Sequence, residues 1–153
     1  MEITSLSRLI KEGGVTCNPE GLIVTIHPSW VVEGEDRLSY TTLIRLIECC
    51  REHHWQIDVL PRAGGTSVDS ICKSLTAKFT NAIPVGSVLS ITYRVTGVRQ
   101  KGYSLRFEVR DTKDQKVCAE FDLVSVFYDP VARKPTAPPA SVFDHLSSLC
   151  SQL

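Results

Sequence analysis

The sequence predicts an α+β fold in which one long helix covers the apolar face of an antiparallel sheet. Three observations carry that expectation. Apolar residues at helical spacing run from Leu38 to Trp55. Two-residue alternation of apolar and polar side chains fills most of the chain from Leu75 to Leu123. Turn-forming segments interrupt that alternation at Asn81–Gly86, Lys101-Gly102 and Thr112–Gln115, so the strands are sequential neighbours.

The 153 residues suit a single domain, expected over 1–153 with an N-terminal extension at 1–21 and a C-terminal tail at 130–153. Lys plus Arg equals Asp plus Glu at 17 each, which gives no general attraction for nucleic acid or an anionic membrane. An anionic ligand then needs a local basic patch. The six cysteines, at 17, 49, 50, 72, 118 and 150, form no Cys-x-x-Cys pair. With no secretory leader pattern they read as reduced thiols, so a cytoplasmic protein is expected. No apolar run reaches the roughly 18 residues that span a bilayer.

The elements follow in order. Thr4 or Ser5 caps a short helix through Leu6, Leu9 and Ile10, which Gly13-Gly14 ends. Gly21 opens a strand, Leu22–Ile26, and Pro28 closes it. Residues 29–37 form a loop with an acidic stretch, Glu33-Gly34-Glu35-Asp36. Ser39, or Asp36, caps the long helix. Leu43, Ile44, Ile47 and Cys50 share one stripe, and Leu46 and Cys49 widen it, so the helix is expected to be buried on more than one side. A symmetric partner subunit is the simplest source of that cover. Glu48 stands among these apolar residues as a carboxylate expected to be partly buried, with Arg45 or Arg51 in reach as a surface ion-pair partner.

Trp55 and Ile57 close the helix, and Pro61–Gly65 connects it to the strands. Leu75, Ala77 and Phe79 alternate with polar residues, with a bulge expected at 68–72. The second strand carries Leu89, Ile91, Tyr93 and Val95, the third Tyr103, Leu105, Phe107 and Val109, and the fourth Val117, Ala119, Phe121 and Leu123. Arg106 and Glu120 are expected to pair on the wet face. A proline-rich tail, Lys134–Pro139, precedes a short helical end through Phe143, Leu146 and Leu149. The expected order is therefore strand, helix, four strands.

Three segments, in this order, resemble a known family. Leu46-Ile47-Glu48-Cys49-Cys50-Arg51 is similar to an aromatic-Glu-x-x-Arg helix segment. Ala77 to Ser87 is similar to a strand followed by a Pro-x-Gly-Asp turn, and Tyr128 to Pro135, with Pro138, to a closing segment. Together they resemble the hotdog-fold, 4-hydroxybenzoyl-CoA thioesterase-like family of acyl-CoA thioesterases, from about Leu22 to about Pro139. The resemblance implies a curved antiparallel sheet wrapped around one long central helix, and a homodimer or a tetramer of dimers. It implies an acyl-CoA or acyl-carrier-protein substrate; no cofactor is expected, and no metal, since Cys50 with His53 or His54 has no second ligand pair to complete a zinc site. Carried over without gaps from Glu48, the family's catalytic aspartate falls at Glu33, its loop glycine at Asp36 and its histidine at Tyr40.

Thioester hydrolysis needs an attacking water or carboxylate, donors for the developing oxyanion, and a thiol leaving group. A helix N-terminus offers free N–H groups and the positive end of the dipole. The backbone at Ser39, Tyr40 and Thr41 is thus expected to polarise the thioester oxygen. Glu33 or Glu48 is expected to act as general base or as nucleophile through an acyl anhydride. Tyr40 is the third catalytic candidate, although its position on the first turn also suits core packing. Arg37, Arg99 and Lys101 are expected to face the substrate's phosphates, with Arg62, Arg133 and Lys134 as further cations on loops. The rival expectation is a hotdog module that binds an acyl thioester or another apolar ligand without turnover. A hotdog dehydratase ranks last, since the helix lacks an Asp-His-x-x-x-His motif.

Overall fold

The computed structural model describes residues 14–31 and 34–151. Strands β1 (Val15–Asn18) and β2 (Gly21–Thr25) form a hairpin that pairs Val15 with Val24 and Asn18 with Gly21. A single helical turn, Pro28–Trp30, follows, its Ser29 amide donating to His27 Nδ1 at 3.1 Å. Helix α1 (Tyr40–His54) continues into a wider π turn, Trp55–Val59, and a tight turn, Leu60–Arg62. Then come β3 (Asp69–Phe79), β4 (Val88–Arg99), β5 (Gly102–Asp111), β6 (Val117–Asp129), β7 (Lys134–Pro135) and helix α2 (Ala140–Ser151). The strands join in the order β1-β2-β4-β5-β6-β3, with β7 on β6.

The expected long helix and four later strands are present, and two details differ. β1 lies inside the stretch expected as an extension, because Val15 and Cys17 pair with the strand already anticipated. The helix after Thr4 lies outside the described residues. β3 begins at Asp69 and is almost wholly exposed, with Ile71 47% and Leu75 37% accessible. The alternation there marks an edge strand, last in the sheet order, rather than a strand with one buried face.

The chain divides into two compact units, each drawn from three segments. The first takes residues 1–53, 78–93 and 107–120. Its β2–β4 register sets Leu22 opposite Ile91 and Val24 opposite Leu89, which places all four on one face, and all four are buried. Leu43, Leu46, Ile47 and Cys50 of α1 are buried as the helical stripe requires. The Cys50 thiol lies 3.8 Å from the Ile91 carbonyl. Each such large apolar side chain contributes about 1.5–3 kcal/mol on burial.

The second unit takes residues 54–77, 94–106 and 121–153. Its core includes Tyr103, Leu105, Phe121, Leu123 and Phe127, with Val142 and Leu146 from α2. Tyr103 stacks on Phe127 with ring centroids 5.3 Å apart. On the opposite face Arg106 donates to both carboxylate oxygens of Asp122, at 3.0 and 3.2 Å.

Candidate active site

The start of α1 is built by its own sequence. Ser39 is the cap: its Oγ accepts from the Thr42 amide at 3.2 Å and its carbonyl from the Leu43 amide at 3.1 Å. Ser39 Oγ and Thr42 Oγ1 are 2.8 Å apart, and Thr42 Oγ1 also donates to the Trp30 carbonyl at 3.4 Å. The amides of Tyr40 and Thr41 precede these and are the ones a helix leaves without an intrahelical carbonyl.

The approach to the helix is fixed from the side. The Leu38 amide donates to Ile83 O at 2.8 Å, and the Val85 amide to Asp36 O at 2.9 Å. Arg37 bridges Pro84, and Leu38 and Ile83 are buried. The segment Asp36–Leu38 therefore enters α1 as a short extended piece held against 83–85. Gly34 carries the left-handed backbone of this loop, at φ 83°.

The structure brings Arg37, Ser39, Tyr40 and Thr41 together at this entrance. Arg37 is exposed, with its Nε 3.6 Å from Glu35. Tyr40 is 55% exposed and stacks on Phe79, ring centroids 4.1 Å apart, which corrects the expectation that it packs in the core. The two rings make an aromatic shelf beside the Tyr40 and Thr41 amides, which have no partner among the described residues. Glu33 lies outside the described residues. Glu48 sits eight residues along α1 from Tyr40, about 12 Å by helical rise. It is exposed rather than partly buried, and its Oε2 accepts from Arg51 at 3.0 Å.

The thiols on this helix are not poised for attack. Burial, reinforced by Glu52 and Glu48, pushes the Cys49 thiol up to about 11. Burial raises Cys50 further, followed by the neighbouring Cys49 and Cys17. Both stay protonated at neutral pH, where only a thiolate is a good nucleophile.

Arg99 and Lys101 stand in the second unit. Together with Lys73, which the sequence did not single out, they line a cavity of about 440 Å³. Arg62, expected as a cation on a loop, donates to the carbonyls of Ile57 and Asp58 at 3.1 and 3.3 Å.

The second unit also holds a buried polar chain that sequence reasoning missed. Tyr103 Oη lies 2.9 Å from His54 Nε2, His54 Nδ1 lies 2.8 Å from Asp58 Oδ2, and His145 Nε2 lies 3.0 Å from Asp58 Oδ1. His54 and Tyr103 have no exposed surface. The one sequence signal was His54 and Asp58 at i, i+4, a spacing the π turn modifies.

A model of the thioesterase-like superfamily matches residues 37–146. The chain belongs to that superfamily. As a member it is a thioester hydrolase, and its sheet order and single long helix are those of the hotdog fold. Solved structures agree on the fold. A 1,4-dihydroxy-2-naphthoyl-CoA thioesterase from Synechocystis superposes with a TM-score of 0.71 at 10% identity, covering 85% of this chain and 96% of the other. A hypothetical protein from Staphylococcus aureus, solved in complex with CoA, gives 0.73 at 10% identity, covering 84% and 82%. A predicted thioesterase from Bacillus stearothermophilus gives 0.72 at 15% identity, covering 83% and 92%. No curated protein matches the chain.

Proposed function

We propose that this superfamily member hydrolyses an acyl-CoA or acyl-carrier-protein thioester at the start of α1. The observation that carries the reading is the capped but open helix entrance. Ser39 occupies two amides, Tyr40 and Thr41 keep theirs ahead of them, and the Tyr40–Phe79 shelf lies exposed beside them. The Tyr40 and Thr41 amides polarise the thioester oxygen, and loss of one such donor costs about 10²–10³ in rate. Arg37 attracts the phosphates of the incoming arm. Glu33 or Glu48 activates water or attacks the carbonyl, with the thiol of the carrier leaving. Glu33 is the nearer of the two along the chain, and Glu48 acts only if its Arg51 partner is displaced.

The chain works as one hotdog domain, in the cytoplasm, as a homodimer or a tetramer of dimers. The exposed apolar residues of edge strand β3, Ile71 and Leu75, favour self-association. Among the described residues no helix is long and apolar enough to cross a membrane.

The second reading is a hotdog module that binds its thioester without turnover. It is favoured by Asp36 and Tyr40 standing where the family has glycine and histidine. Both are tested by incubating the protein with short, long and aromatic acyl-CoAs and a thiol reagent. Thiol release that falls about 10²–10⁴-fold in Glu33→Gln or in Glu48→Gln establishes the enzyme and names its carboxylate. Saturable binding with no thiol release across the panel establishes the module.

A further inference from the structure

The second unit carries a cavity whose walls and rim differ in character. Ile71 of β3, Val124 and Val126 of β6, and Pro135 of β7 form an apolar wall around about 440 Å³. Lys73, Arg99 and Lys101 stand around the same space. None of the three cations makes an ion pair or side-chain hydrogen bond to a described residue. Val124 and Val126 alternate along β6 with buried Leu123 and Phe127, and Ser125 between the two valines also borders the cavity. Gly102 leaves the floor bare. A Cβ there would come within 2.4 Å of the Ser125 carbonyl, so the close approach of β5 and β6 excludes every side chain but hydrogen.

We propose that this cavity binds an amphiphile with an oxyanion head and an apolar chain. Three like charges gathered without counter-ions repel one another, and one carboxylate or phosphate head accepting from them relieves that repulsion. The volume is that of a small-molecule site. The walls select what the head is attached to. Ribose, adenine and peptide would each leave polar groups unpaired against valine, isoleucine and proline. An alkyl or acyl chain leaves none. Fatty acids and alkyl phosphates share this chemistry, and the acid that thioester hydrolysis releases is one source of it. The inference reaches beyond catalysis, because occupancy is read by binding alone and stands whether or not the chain turns over a thioester.

Isothermal titration of the full chain tests it, with dodecanoate, dodecyl phosphate, dodecanol, CoA and inorganic phosphate, each below micellar concentration. Saturable binding of dodecanoate or dodecyl phosphate is expected, and whichever binds tighter names the head group. The triple variant Lys73→Gln, Arg99→Gln, Lys101→Gln should weaken that binding about tenfold or more. Val126→Asp should weaken it comparably by placing a carboxylate in the wall. If Val126→Asp fails to fold by circular dichroism, the triple variant, altered only at surface cations, decides alone. The proposal is overturned if neither amphiphile binds saturably, or if dodecanol binds as tightly. It is equally overturned if CoA or inorganic phosphate displaces the amphiphile at equal concentration, or if folded variants bind like the wild type.

Discussion

The entrance of α1 and the His54–Asp58 chain are both polar, and they solve opposite problems. At the entrance every element is local. Ser39 caps its own helix, Thr42 returns to Ser39, and Tyr40 remains exposed on Phe79. Polar groups there cost little because water reaches them, so the site is free to keep two amides unspent for a ligand. In the second unit Tyr103, His54 with Asp58, and His145 come from three places in the sequence, and three of the four residues are buried. A buried polar group without a partner costs about 1–3 kcal/mol, so that chain is tolerable only when closed at every link. Exposure with spare donors marks the place for chemistry, and burial with full pairing marks the place for structure.

Breaking the closed chain is therefore the larger perturbation. Asp58→Ala strips His54 Nδ1 and His145 Nε2 of their acceptor at one stroke. It should lower unfolding stability by about 3 kcal/mol in a denaturant titration. Asp58→Asn keeps one acceptor and should cost clearly less. Equal losses from the two would show that packing, not pairing, holds this region.

The buried thiols of α1 give the next effect, through pH. Cys49 ionises near 9.0 in the unfolded chain and is pushed up to about 11 in the fold, so between those values the unfolded state binds fewer protons. Its contribution is complete below pH 9 and is lost as pH rises towards 11. Stability measured across that window should fall, and Cys49→Ala should flatten the fall. Alkylation at pH 8, followed by mass, should label exposed Cys72 and spare Cys49 and Cys50.

How much of this was legible follows the same divide. Ser39 as cap, and the gathering of Arg37, Ser39, Tyr40 and Thr41, could be read because they are neighbours in sequence and helix geometry does the rest. The exposure of Tyr40 could not, since its partner Phe79 arrives from a distant strand end. Lys73 joins Arg99 and Lys101 only because β3 lies beyond β6 in the sheet, an order that alternation does not encode. Asp58 was invisible for a subtler reason. A π turn at Trp55–Val59 shifts the helical register, and periodicity assumes there is none.

At the entrance, Ser39→Ala removes a cap from an exposed helix end. The expected loss is about 1 kcal/mol. Because the cap also orients the first turn, a fall in thiol-release rate should accompany it. A loss of stability with unchanged turnover would detach the cap from the chemistry.

Ser125→Ala is the smallest change and the sharpest on the rule that buried polar groups must be closed. Ser125 is 1% exposed and its Oγ finds no hydrogen-bond partner among the described residues, although it stands on the same face of β6 as Phe127. Removing the hydroxyl takes away an unpaired polar group and leaves a void smaller than a water molecule. The variant should be equal to the wild type or more stable by up to about 1 kcal/mol. Loss of more than that would mean the hydroxyl is held by a partner, most simply an ordered water bridging to the polar chain. The contrast between an open entrance and a closed interior would then extend to every buried polar atom of the second unit.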